Sequence, residues 1–160
     1  MNDLNSKVKA LAAELGFDDC RIAQAKRATH ADDFEAWIEN GSHGDMQWLE
    51  RNPNRRCDPR EVLQGCKSVI CLAVNYHTGN DPFPEHHPKN YRIAKYAWND
   101  DYHDLIEKRL ADFNAALVGL GGTQRYYVDT GPILERDFAT DSGLGWNGKS
   151  TVQIHRQLGT

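Results

Sequence analysis

Tyr126 to His155 reads YYVDTGPILERDFATDSGLGWNGKSTVQIH. A strand-like run ends on an acid, Asp129. A Gly-Pro turn follows at Gly131 and Pro132, and then the acid–base pair Glu135 and Arg136. A Gly-rich, Trp-bearing loop (Gly143, Leu144, Gly145, Trp146, Asn147, Gly148, Lys149) leads into an alternating run from Ser150 to His155. Pro132 near a first turn predicts a helix over 132–142, with strands over 125–129 and 150–155. Taken with the rest of the chain and the resemblance given below, the expected fold class is α+β, a mixed sheet flanked by helices. Glycine tolerates left-handed backbone and presents no side chain, so the loop suits backbone drawn close to a ligand. Two tight turns around a helix account for the same glycines.

Working outward, Ser68 to Asn75 (SVICLAVN) is the clearest strand: a near-continuous apolar run, as in a strand covered on both faces. Asp101 to Leu120 is the best helix. Leu105, Ile106, Leu110, Phe113 and Leu117 form its stripe, Asp100 or Asp101 its cap, and Gly121-Gly122 its stop. Leu4, Val8, Leu11, Ala12 and Leu15 mark a first helix ending at Gly16, and a short strand is expected over 20–23. A second helix carries Phe34, Trp37 and Ile38. Asn52 to Arg60 holds two prolines and reads as loop. His77 to Asn90, rich in Pro, His, Gly and Asp, is a connection long enough to be functional or mobile.

One domain is expected from 160 residues. The hydrophobic fraction of 39% and charged fraction of 26% are those of a globular chain. A net charge of −4 argues against a strong nucleic-acid binder, yet Arg51, Arg55, Arg56 and Arg60 fall within ten positions and would make a local basic patch or a solvated face. Cys20, Cys57, Cys66 and Cys71 form no C-x-x-C pair, so neither a zinc ribbon nor an iron–sulfur site is expected here. No metal-ligand set is predicted. The start has no signal-peptide pattern and no apolar run approaches a membrane span, so the expectation is a reduced, cytoplasmic setting without membrane contact. The alternating run at 150–155 has no following partner strand, which leads us to expect a domain cut short at its C-terminus.

Two groups carry chemistry. Asp129, at a strand end before Gly-Pro, is placed as a catalytic carboxyl or a helix cap. Lys95 to His103 interleaves aromatics with acids ahead of a helix, where Asp101 is either a cap or a site residue. With these groups the chain resembles the epoxyqueuosine reductase family. The matching runs are Ala36-Trp37-Ile38 with Gly41 to Leu49; Arg56 with Asp58-Pro59-Arg60; Ser68-Val69-Ile70; Tyr96-Ala97 with Asp101-Tyr102-His103; Val128 to Arg136; and Gly143 to Lys149. The chain departs from the family at Asn99-Asp100, where a glycine and a basic residue are usual.

The resemblance implies a nitroreductase-like cobalamin-binding domain, incomplete over residues 1–160, with the iron–sulfur and helical-repeat domains absent. It implies reduction of epoxyqueuosine to queuosine in the wobble position of tRNA by reduced cobalamin, with Asp129 protonating the departing oxygen. By the same match Tyr96, Asp101, Tyr102, His103, Arg136, Gly143, Gly145, Trp146, Gly148 and Lys149 would contact the cofactor. Two four-iron (4Fe-4S) clusters are expected only beyond this chain. The implied partners are tRNA, mainly through that further region, and an electron donor protein. The complete protein would be a monomer. The rival readings are a non-catalytic corrinoid-binding fragment and a flavin-dependent reductase of related fold.

Overall fold

The computed structural model describes residues 2–77, 79, 94–98 and 100–159. Most of the expected 77–90 connection, and Asn99, lie outside the described residues. Helix α1 spans Asn2–Glu14 and buries Val8 and Ala12 on the expected stripe. Gly16, at φ +83°, turns the Gly16 and Phe17 N–H groups back onto the Ala13 and Ala12 carbonyls, both at 3.0 Å. Phe17 thereby enters the core.

Strand β1 (Asp19–Gln24) pairs antiparallel with β2 (Ser68–Ala73), with Cys20 opposite Leu72 and Ile22 opposite Ile70. The period of two sorts these side chains. Cys20, Ile22, Ile70 and Leu72 join Val8 and Ala12 of α1 and Leu110, Phe113 and Leu117 of α4 (Tyr102–Gly119). Ala23, Val69 and Cys71 face the other way, onto Ala31 of α2 (Ala31–Glu39), Cys57 of α3 (Pro53–Cys57) and Phe138 of α5 (Glu135–Asp141). Helices thus cover both faces, and the α+β expectation holds. Burial pushes the Cys57 and Cys71 thiols up to about 11, so both stay neutral and pack as small apolar groups.

Several expected elements change. Among the described residues the strand pairings are antiparallel, in two two-stranded pieces, and no single mixed sheet forms. β2 is half-buried along most of its length because a cavity opens beside it. Residues 125–129 form no strand: Asp129 takes φ +55° and the Thr130 N–H turns back onto the Val128 carbonyl. The 150–155 run is broken by Thr151 at φ +60°, whose N–H bonds the Gly148 carbonyl at 2.9 Å. That turn gives the run a partner after all: β3 (Trp146–Asn147) pairs with β4 (Gln153–Ile154). The 132–142 helix begins at Glu135, because the Leu134 N–H is taken by the Arg56 carbonyl of α3 at 3.1 Å. α3 itself stands where a loop was expected, with Pro53 in its first turn.

Two long-range polar contacts lock these layers. His155 reaches Asp19 through Nε2 at 3.0 Å, while its Nδ1 accepts the Gln157 and Leu158 N–H groups, which fixes the hairpin β3–β4 against β1. The buried Asp137 carboxylate accepts the His30 backbone N–H and pairs with His30 Nδ1, both at 2.7 Å, and so joins α5 to the start of α2. This partner raises the His30 pKa above its ordinary value, chiefly through the hydrogen bond. The stabilisation is full below the unfolded pKa of His and is lost as pH rises through the folded value. Asp137→Asn keeps an acceptor for the backbone N–H but not the charge. It is expected to cost about 1–3 kcal/mol at pH 5.5 and less at pH 8.5, as read by urea unfolding at the two pH values. An equal loss at both would remove the charge pair from the account.

Candidate active site around Asp129

Asp129 sits at the centre of a strained turn. A left-handed backbone is tolerated by Asp better than by most residues, and such turns are held only where the surroundings enforce them. The enforcing group here is Tyr102, in the first turn of α4, whose hydroxyl donates to Asp129 Oδ2. That bond, then burial and the Asp129 charge, push the Tyr102 phenol up to about 12, so it remains a donor throughout the physiological range.

Tyr102 is itself held between rings. His103 stacks on it with centroids 4.2 Å apart, and Tyr96 meets it edge-on at 6.3 Å. Asp101 caps α4 by accepting the His103 N–H at 2.9 Å, and its Oδ1 also lies 2.7 Å from His103 Nδ1. These bonds lower the Asp101 pKa. The structure therefore brings Tyr96, Asp101, Tyr102, His103 and Asp129 together. Asp101 fills its cap role, and Tyr102 is spent on orienting Asp129.

Glu135 is the residue that sequence reasoning passed over. It appeared there only as half of an acid–base pair with Arg136. Its carboxyl is pushed up to about 7, first by burial and then by the charge of Asp129, against the opposing pull of Arg136. It borders two cavities. One, of about 550 Å³, lies between β2, α4 and the 121–127 segment. The other, of about 260 Å³, lies between the end of β2, α5 and the hairpin, with Arg136, Leu144, Gln153 and His155 in its wall. Glu135 follows Asp129 by six positions, which is the one trace of this coupling in the sequence.

The glycine loop has a structural task. Gly143, at φ +76°, ends α5 and is open to solvent on its Cβ side. A Cβ on Gly145 would lie 2.2 Å from the Ile154 carbonyl oxygen, and one on Gly148 2.7 Å from Ile154 Cδ1. The close approach expected toward a ligand is thus made by the chain's own hairpin. Trp146, Gly148 and Lys149 lie on that hairpin and border neither cavity. Gln153 borders the smaller cavity, and its amide nitrogen and oxygen are both buried without a hydrogen-bond partner among the described residues. No sequence signal marks it, because the isolation of its amide comes from burial in the folded chain.

Residues 56–130 match the family model for epoxyqueuosine reductase QueG, DUF1730. An epoxyqueuosine reductase of Leadbetterella byssophila is 34% identical over the whole of this chain and 53% of that protein. The structure of epoxyqueuosine reductase from Streptococcus thermophilus superposes with a TM-score of 0.80 at 22% identity, over 99% of this chain and 43% of that one. A crystal structure of an epoxyqueuosine reductase with an epoxyqueuosine-modified tRNA-Tyr stem loop superposes with a TM-score of 0.74 at 20% identity, again over 99% and 43%. The chain spans about half the length of the curated relatives it matches.

Proposed function

We propose, for a chain that belongs to the epoxyqueuosine reductase family and covers about half the length of its curated relatives, that residues 1–160 are a cobalamin-binding catalytic domain. Its reaction is removal of the epoxide oxygen of epoxyqueuosine in the wobble position of tRNA, giving queuosine, an oxidoreductase step carried out in the cytoplasm. The observation that carries this reading is the similarity to epoxyqueuosine reductases along the whole chain.

Loss of the oxygen as water takes two electrons and two protons and leaves an alkene. Bound reduced cobalamin would supply the electrons, refilled from 4Fe-4S clusters outside residues 1–160 and an electron donor protein. The protons are the task of this chain. An epoxide oxygen leaves as an alkoxide unless an acid meets it. In this reading Asp129 in its protonated form is that acid, Tyr102 fixes its orientation, and Glu135, half-protonated at about pH 7, holds a second proton nearby.

Gln153 fits a corrin ligand. The Gln153 amide offers an unmet donor and an unmet acceptor, and the rim of a corrin carries carboxamides of matching chemistry. Tyr96, His103 and Arg136 would line the site, and the hairpin that carries Gly143, Gly145, Trp146, Gly148 and Lys149 would reach it through Gln153. The tRNA is the macromolecular partner, and the complete protein acts as a monomer.

Titration of the purified chain with cob(II)alamin is expected to change the corrinoid absorbance spectrum, while flavin mononucleotide gives no response. Tight flavin binding with no corrinoid response would overturn the assignment.

A further inference from the structure

A second surface lies on the loop between α2 and α3. His43 holds this loop rigid. It is only 6% exposed, its Nε2 lies 2.7 Å from Glu50 Oε1, and its ring meets the edge of Trp37 at 6.0 Å. Backbone bonds from Gly44 to Gly41, Met46 to His43 and Leu49 to Met46 close the turns around it. The pinned loop turns its apolar groups outward: Met46 is 37% and Trp48 56% exposed. Arg51 and Arg55 follow, both exposed and, among the described residues, in no ion pair. Neighbouring acids are occupied, Glu50 by His43 and Asp58 by Arg60, while Asp45 and Glu61 flank the segment at either end.

An exposed indole is thus followed within seven residues by two exposed guanidinium groups, unpaired among the described residues, on a chain of net charge −4. An indole face offers stacking to any base, and guanidinium groups track phosphates. We propose that Trp48, Arg51 and Arg55 form a docking site for single-stranded RNA, with a base on Trp48 and backbone phosphates on the two arginines. The charge pattern favours RNA over an apolar protein partner. That the RNA is an anticodon loop rests on the function proposed above; the patch itself does not.

The test uses the chain without cofactor, so it stands or falls apart from the cobalamin reading. A fluorescein-labelled RNA octanucleotide is titrated at several salt concentrations and followed by anisotropy. Trp48→Ala is expected to weaken binding about 5–100-fold, with Trp48→Phe between it and the parent. Arg51→Gln with Arg55→Gln is expected to reduce the slope of log affinity against log salt by about 1.4, at roughly 0.7 per phosphate contact. These side chains are exposed, and unchanged circular dichroism would show the fold intact. Failure of the parent to bind the octanucleotide, or binding indifferent to Trp48, overturns the proposal. Self-association abolished by Trp48→Ala, without RNA binding, would assign the patch to a protein contact instead.

Discussion

On the function proposed above, Asp129→Asn is expected to slow epoxide reduction about 10²–10⁴-fold, the usual worth of a general acid, while leaving cob(II)alamin binding unchanged. The substitution is well matched to the site. Asn keeps an oxygen that accepts from the Tyr102 hydroxyl, and it tolerates the left-handed backbone that Asp129 adopts at φ +55°. The turn should therefore survive, and what is lost is the carboxyl proton. Rates are to be measured on tRNA-bound epoxyqueuosine with a strong external reductant, so that electron supply does not limit them. Turnover equal to the parent's would reduce Asp129 to a turn residue and move the acid's role to Glu135. Retained binding with lost turnover separates proton delivery from a general collapse of the pocket.

Among the glycines, Gly145→Ala should be the most damaging alanine substitution. Its Cβ would enter to 2.2 Å from the Ile154 carbonyl oxygen and 2.9 Å from Gln153 Nε2. Backbone cannot yield as a flexible side chain does, and Ile154 is fixed by its pairing with Trp146. Overpacking of this kind costs about 1–3 kcal/mol and sometimes more. For a chain of this length that lowers the melting temperature by roughly 2–12 °C. Gly143→Asn is the control: it keeps a left-handed residue where a Cβ meets nothing within 4 Å, and should cost far less. Gly145→Ala should also weaken cofactor binding, by displacing the hairpin. A melting temperature unchanged in Gly145→Ala would mean that the hairpin is free to move aside.

What the sequence made legible follows a simple division. Local and periodic signals were sound. The apolar stripes of α1 and α4, apart from the exposed Leu4 and Leu105, the cap at Asp101, the glycine stop at Gly16 and the β2 run reappear, because each depends on neighbours three or four residues away or on alternation along one strand. Signals that needed a distant partner were not readable. Thr151 and Asp129 adopt positive φ only because a hairpin and a tyrosine from α4 hold them there, and this dissolved two expected strands. α3 forms from a proline-containing stretch whose tertiary packing outweighs its loop-like composition. At the site, Asp129, Tyr102 and His103 were named from the family resemblance. Glu135 and Gln153 escaped because their character comes from burial.

Glu135 stands in the wall of both cavities, and this makes them thermodynamic partners. A single carboxyl cannot be neutral toward one space and charged toward the other. Any occupant of either cavity that favours the protonated form makes that form more available to an occupant of the other, and the reverse holds with equal strength. Linkage requires this reciprocity whatever the two occupants are. One proton on one side chain thus couples the contents of two chambers, without any movement of the backbone between them.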